Sequence, residues 1–385
     1  MKDGESLKKI AKSDLPSFVI LKAVLLEVFT SRIDCDIMTI MSRKVKIGNL
    51  IIGGGEKIAI QSMSTFKISD TGRAVEECLK LKEMGLDIMR YSVTDELDAQ
   101  SFGVVKKLSG VPLVADIHFD YKLALKAIDG GADKIRINPG NIGGEDKVRE
   151  VAQALKRAKI PVRVGSNTGS IEREFLNKYG RNEISLGESA LKNVRILEKY
   201  GVNDIVISVK ASDVSLMVKA YEYIAQKTDY PLHLGVTEAG TEYHGIVKSS
   251  IGTGALLLKG IGDTFRVSLS ASPEREVKAA KAILSALNLT KGVQIIACPT
   301  CGRCEWDCMG FAKKVEDYTA NLKTPLKIAV MGCVVNGPGE ASDADLGIAG
   351  GKDGCVIFVK GKIVKKVAKE EVEKEFFGEI DKCTQ

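Results

Sequence analysis

The sequence predicts an α/β protein: an N-terminal (β/α)8 barrel of the TIM type followed by a small α+β domain. Three observations carry this. Eight short β-rich apolar runs recur between Lys46 and Ser272, each ending in a polar cluster and followed by a longer stretch with helical spacing. Together they span about 230 residues, close to the usual size of a closed barrel. The rhythm then stops near residue 290, and four cysteines gather in "IIACPTCGRCEWDCMG", residues 295–310.

The runs are, in order, "KIAIQSMST", "DIMRYSVTD", "VPLVADIHFD", "KIRINPGN", "PVRVGSNTGS", "DIVISVKASD", "PLHLGVTEAG" and "DTFRVSLSAS". Segments between them, such as "TGRAVEECLKLKEMG" and "REVAQALKRAKI", place apolar residues three and four apart, the pattern of a helix with one buried face. A doubly wound open sheet is the alternative, but no Gly-rich dinucleotide turn follows the runs. The barrel is expected over 41–290 and the second domain over 291–385. Residues 1–40 are an extension ahead of Met41. Its apolar stretch "FVILKAVLLEVF" (18–29) is broken by Lys22 and Glu27, and no small-residue cleavage site follows. That is too short and too charged for a membrane span and does not read as a secretory signal.

In such a barrel the C-terminal ends of the strands line the active-site mouth. Reading those ends gives Lys67, Arg90, Asp116 with His118, Arg136 with Asn138, Arg163 with Asn167, Lys210, Glu238, and Arg266 with Ser268. Repeated cations around one mouth call for a small molecule with several negative charges. Arginine suits phosphate oxygens through its planar fork and lysine as a point charge. The span "GIVKSSIGTGALLLKGIGDTFRVS" (245–268) lies between strands seven and eight, where barrels often bind phosphate on glycine-rich backbone. Ser249 and Ser250 are expected to add hydroxyls there. The expected guest is a diphosphate.

Composition narrows the class. Apolar residues make up 44% and charged residues 28%, which suits a soluble globular chain. A net charge of +6 with a single Trp is too weak a footprint for nucleic acid, though it is compatible with docking an acidic protein. No nicotinamide fingerprint is present. The chain is expected in the cytoplasm, whose reducing conditions make clustered thiols a sign of metal or redox chemistry rather than disulfides.

After residue 290, "VQIIACP", "LKIAVMGCVVNG" and "CVIFVKGKIVKKV" read as strands; "FAKKVEDYTANLK" and "EEVEKEFFGEIDKC" read as helices. The cysteines allow several readings. Zinc would need four closed tetrahedral ligands. An iron–sulfur cluster needs thiolates on tight turns, and both "ACPTCG" and "GCVVNGPG" have that character. The C-x2-C-x2-C-x3-C spacing also matches bacterial ferredoxins, a local reading that would use Cys298, Cys301 and Cys304. Against it, Met309 rather than proline follows Cys308, and no second copy of the run exists. Cys35, Cys78, Cys355 and Cys383 are scattered and read as packing or surface residues.

"ACPTCGRCEWD", "GCVVNGPGEA", "VADIHFDYKLALK", "IRINPGNIG", "ISVKASDV" and "LHLGVTEAG" resemble, in order and over about 45–360, the bacterial 4-hydroxy-3-methylbut-2-enyl diphosphate synthases. The resemblance implies a barrel that binds a cyclic diphosphate and a [4Fe–4S] domain behind it. It implies Cys298, Cys301, Cys333 and Glu340 as cluster ligands, with Cys304 and Cys308 as spectators where other members commonly lack cysteine. It also implies reductive ring opening of 2-C-methyl-D-erythritol 2,4-cyclodiphosphate with loss of water. Arg90, Arg136, Asn138, Arg163, Asn167, Lys210, Arg266 and Ser268 would hold that substrate. Glu238 is the first candidate for the proton donor, and His118 beside Asp116 the second. Reduced ferredoxin or flavodoxin would supply electrons, and a head-to-tail homodimer would share its active sites between chains. This chain departs from the family at "QSMSTFKISD", where Lys67 stands in place of a common arginine. Two rival readings are a pterin-synthase-like barrel with a structural zinc and a non-enzymatic iron–sulfur carrier.

Overall fold

The computed structural model describes residues 41–320, 322, 324–334, 337–351 and 353–384. The apolar stretch 18–29 and Cys35 lie outside the described residues. Strands β1 (Val45–Ile47) and β2 (Leu50–Ile52) form an antiparallel hairpin. Strands β3 (Ala59–Met63), β4 (Ile88–Ser92), β5 (Leu113–Asp116), β6 (Lys134–Arg136), β7 (Val162–Asn167), β8 (Ile205–Lys210), β9 (His233–Leu234) and β10 (Thr264–Phe265) follow. These eight pair in parallel, in the order β8-β7-β6-β5-β4-β3-β10-β9. A parallel bridge from Ile207 to Leu232 joins the two ends and closes the ring. Buried on both faces, such strands are rich in apolar β-formers, and the runs show in the sequence even where Gln61, Arg90 or Lys134 interrupts them.

The helices between them begin on short polar caps. The side chains of Asp70, Asp120 and Asp213 accept backbone N–H bonds at the starts of the helices Thr71–Met84, Tyr121–Asp129 and Val214–Ala225. At the opposite end the β1–β2 hairpin acts as a stopper. Val45, Ile47 and Ile52 pack against Ala59, Ile88, Val114 and Val206, so the base of the barrel is apolar and closed.

The glycine-rich span after β9 is a correction to the expected phosphate loop. It forms the body of the helix Glu242–Leu257, and the Ser249 hydroxyl is fully buried. A methyl added at Gly252 would lie 2.7 Å from Met217 and 3.2 Å from Val214 and Val236. The small residues let this helix press onto its neighbours, which is a packing role.

The second domain carries a five-stranded sheet: β11 (Val293–Ala297), β12 (Leu326–Met331), β13 (Leu346–Gly351), β14 (Gly354–Val359) and β15 (Lys362–Val367), in that order. The first three are parallel and the last two antiparallel. Helices Cys308–Thr319 and Val372–Thr384 cover one face through Phe311, Val315, Phe376 and Ile380. Ala341 and Ala344 pack on the other with Met331 and Phe358. The domain joins the barrel along the C-terminal half of the helix Pro273–Ala286. There Lys278 pairs with Glu316, Lys281 donates to the Ala320 carbonyl, and Gln294 donates to the Ser285 carbonyl.

Candidate active site

Every strand of a parallel barrel points the same way, so side chains at successive strand ends converge. Asp116 ends β5 and sits opposite Arg136 in the β5–β6 register. Its carboxylate accepts from Arg136 Nη1 at 3.1 Å, and Arg90 Nε and His118 Nε2 lie 3.7 and 3.5 Å away. Burial alone would raise the Asp116 pKa. The charges of Arg90, Arg136 and Arg163 and the His118 hydrogen bond outweigh it and hold the group well below the usual carboxylate range. Arg90 is buried and its pKa is pulled down to about 10, chiefly by that burial.

Arg266 is fixed by a carboxylate that the sequence did not advertise. Its Nε and Nη2 donate to Glu276 at 3.0 and 2.8 Å, a two-pronged pairing. Glu276 lies on the helix Pro273–Ala286, is almost fully buried, and also accepts from Ser62 Oγ at 2.7 Å and Leu269 N at 3.1 Å. The Met63 sulfur touches both Arg90 and Arg266. Lys210 ends β8, and burial followed by the charges of Arg90, Arg163, Arg266 and Arg136 drives its pKa well down.

One placement differs from the sequence reading. Arg163 is the second residue of β7 and not its end; it is buried in the barrel interior, paired in register with Arg136. The strand runs four residues further, to Asn167 at the mouth. Beside Arg163 lies a polar layer the sequence reading missed. Lys134 is fully buried with its amine 3.5 Å from Gln61 Oε1, and His233 Nδ1 is 2.7 Å from Thr264 Oγ1. Within this layer Arg163 Nε and Nη1, Gln61 Nε2 and His233 Nε2 have no hydrogen-bond partner among the described residues. Lys134 could have been found in "DKIRIN", since it sits two residues before Arg136 and so faces the same side of the strand.

Asn138 and Ser268 are half-buried just past their strands, and Asn138 Oδ1 accepts from Gly140 N at 3.1 Å. Glu238 is exposed and has a φ of 51°, a left-handed conformation uncommon for a residue with a side chain. Such conformations concentrate at functional sites. Lys67 instead pairs with Asp95 at 2.7 Å on the exposed rim. The mouth therefore holds Arg90, Arg136, Lys210 and Arg266 above Arg163 and Lys134, against two buried carboxylates, Asp116 and Glu276. That excess suits a compact polyanion.

The thiols are brought together by a different device. Because β11 and β12 are parallel and adjacent, with Ala297 opposite Val330, both chains leave the sheet at one edge. Cys298 follows β11 and Gly332-Cys333 follow β12, so the two cysteine turns meet there. A methyl on Gly332 would lie 3.2 Å from Cys304 Sγ and 3.4 Å from Cys298 Sγ, a cradle that only glycine leaves open. Thr300, between Cys298 and Cys301, has a φ of 59°, a strained value for a β-branched residue. Cys304 N donates to the Cys301 carbonyl at 2.9 Å and closes the turn. The exposed Cys301 thiol is pulled down by the Arg303 backbone N–H and guanidinium. Arg303 is itself raised, first by Cys301 and then by Cys333 and Glu340. In donor chemistry, three thiols and a carboxylate, with a strained Thr300 in the first turn and an open glycine in the second, suit an iron–sulfur cluster. Trp306 anchors the loop by donating from Nε1 to the Met331 carbonyl at 3.2 Å. Cys308 is buried at the start of its helix, and its thiol is pushed up to about 12, mainly by burial. Cys78 and Cys355 are buried and Cys383 is exposed.

The chain matches the GcpE TIM-barrel domain over residues 42–281 and the GcpE protein C-terminal domain over residues 294–382. A protein of Caldanaerobacter subterraneus subsp. tengcongensis is 54% identical over 347 residues, covering 90% of this chain and 98% of that one. Proteins of Geobacillus thermodenitrificans (51% identical, covering 89% of this chain and 92% of that one) and Bacillus cytotoxicus (52%, 88% and 93%) are similar to it as well. All three bear the name 4-hydroxy-3-methylbut-2-en-1-yl diphosphate synthase (flavodoxin). With both domains matched in order and half the residues identical, the chain belongs to the GcpE family.

Proposed function

We propose that the chain binds 2-C-methyl-D-erythritol 2,4-cyclodiphosphate in the barrel mouth and, with a [4Fe–4S] cluster on Cys298, Cys301, Cys333 and Glu340, opens its ring. The product is 4-hydroxy-3-methylbut-2-enyl diphosphate. Counted on the neutral acids, the reaction takes up two electrons and two protons and releases one water. The observation that carries this reading is the cation excess of the mouth. Arg90, Arg136, Lys210 and Arg266 gather at the mouth with Arg163 buried beneath them, and Asp116 and Glu276 compensate only part of their charge.

The bound cluster would supply the electrons and a Lewis-acid iron, and a carboxylate ligand is harder and more readily displaced than a thiolate. The remaining work belongs to the side chains. Arg90, Arg136, Lys210 and Arg266 hold the diphosphate oxygens, Arg163 lends its charge from beneath them, and Asn138, Asn167 and Ser268 add donors. Asp116 holds Arg90 and Arg136 in place. Glu238 protonates the departing hydroxyl. His118 on Asp116 is the second candidate for that proton, and its hydrogen bond to a buried carboxylate supports it.

Two observations support a head-to-tail homodimer with shared sites. The helix Pro273–Ala286 begins just after the mouth residues and runs about 20 Å towards the base, and the cluster domain attaches along its far half. A cluster held there favours the mouth of another chain. Tyr243, Val247, Ile251 and Leu258 also form an exposed apolar stripe along one helix face, which suits a second copy. Reduced flavodoxin, the partner in the relatives' name, is the proposed electron donor, with ferredoxin as the alternative, and the cytoplasm is the proposed location. No helix among the described residues is long and apolar enough to cross a membrane.

Anaerobic assay with the cyclic diphosphate and dithionite, followed by electron paramagnetic resonance, tests the chemistry. Turnover with a substrate-dependent change of the cluster signal is expected; one zinc per chain with no iron or sulfide refutes it. Mixing an Arg90→Met chain with a Cys301→Ser chain tests the sharing. Regained activity in the mixture is expected only if one chain's cluster serves the other's barrel.

A further inference from the structure

The sequence carries one more thiol at the cradle than the proposed ligand set uses. Gly332 places Cys304 Sγ and Cys298 Sγ against the same point on the backbone, 3.2 and 3.4 Å from where a side chain would begin. The two sulfurs, at the ends of the loop 298–304, are therefore neighbours on one side of Gly332. Cys304 is half-buried, so its sulfur is neither sealed in the core nor free in solvent. It donates to the Trp306 carbonyl at 3.2 Å.

We propose that Cys304 is a reserve iron ligand that takes over the corner held by Cys298 when that thiolate is lost. The inference rests on the ligand set proposed above. Loss of Cys298 arises by substitution, or by peroxide, which oxidises a thiolate to sulfenic acid and is itself reduced to water. In the exchange the bond from iron to Cys298 breaks. Cys304 gives its proton to solvent, releases the Trp306 carbonyl and forms the new iron–sulfur bond. One thiolate replaces another, so the charge of the site is unchanged and no external electron is needed. Cys308 cannot play this part, because it is sealed under its helix with Sγ 3.6 Å from the Val330 carbonyl. The arrangement also gives the spacing C-x2-C-x2-C a use that the ligand set alone does not.

The test uses the full chain, reconstituted anaerobically with iron and sulfide, as wild type, Cys298→Ser, Cys298→Ser/Cys304→Ser and Cys301→Ser. Iron and sulfide content are measured, together with alkylation of Cys304 by iodoacetamide read by mass spectrometry. The expected result is that Cys298→Ser keeps most of its iron while the double variant and Cys301→Ser lose theirs. Cys304 is alkylated in the wild-type holoprotein and becomes protected in Cys298→Ser. If Cys298→Ser is as empty as the double variant, the reserve role is wrong and the ligand set stands. If the double variant keeps full iron, Cys298 is not a ligand and both readings fall. Circular dichroism of each variant separates cluster loss from unfolding.

Discussion

At the barrel mouth the charges are fixed before any ligand arrives. Arg90, Arg136 and Arg266 are tied to Asp116 and Glu276; both carboxylates are buried, and Glu276 is also hydrogen-bonded to Ser62 and the Leu269 backbone. In the cysteine cradle the donors sit on two turns, half-buried or exposed, with a strained Thr300 between the first pair. The difference follows from what each site must hold. A diphosphate brings its own charge into a space whose shape must already exist, so the barrel supplies a stiff wall. Iron brings the bonds that organise its ligands, so a loop with the right donors and an open glycine suffices.

Removing a fixed counter-charge is the hardest test of that contrast. Asp116→Ala leaves Arg90 and Arg136 without their shared partner and is expected to cost about 3–5 kcal/mol of stability, read by urea unfolding. A loss under about 1 kcal/mol would show that the mouth is not held by this carboxylate. On the cradle side, Glu340→Ala is expected to lower turnover on the order of a hundredfold, since it removes several kcal/mol of Lewis-acid control. It is also expected to leave the melting temperature of the barrel in place.

Inorganic pyrophosphate sharpens the comparison at a lower level. It is expected to stabilise the chain by about 2.7 kcal/mol at a hundred times its Kd, seen as a thermal shift that Lys210→Met and Arg163→Met reduce. Cysteine substitutions in the cradle are expected to leave that shift unchanged. The smallest effect is in pH. His233 is buried, and that burial, with Arg163, Lys210 and Lys134 near it, holds its pKa well below the usual imidazole value. Below about pH 6.5 the unfolded chain takes up a proton here that the folded chain refuses, so stability falls with pH by up to about 1.4 kcal/mol per unit. The slope is expected to flatten in His233→Asn, measured by thermal melts between pH 7 and 5.

Much of the fold was legible because parallel strands buried on both faces leave runs such as "DIVISV" that resemble little else. The β1–β2 hairpin was not, since strands of three residues carry no period. "LGIAGG" was missed as β13 because its glycines hid it; Gly350 is where the Trp306 ring packs and Gly347 where Phe358 does. "GIVKSSIGTGALLL" looked like a phosphate loop for the same reason: glycine permits a close approach, and the sequence does not say whether by an anion or by a neighbouring helix. Glu276 stood unnoticed in a helix of mixed charge, although its burial against Arg266 completes the mouth. Arg163 was placed at a strand end because nothing local marks where β7 stops.

The order of the chain by itself determined the β/α rhythm, the cations spaced along it and the two glycine-bound cysteine turns, because these depend on neighbours a few residues away. Only the folded molecule decided which cations share a carboxylate, that Arg163 lies inside the barrel, and that Cys304 and Cys298 both lie against Gly332. Those are contacts between segments up to two hundred residues apart. Closure of the ring and the parallel pairing of β11 with β12 set them, and neither leaves a mark in any short stretch of sequence.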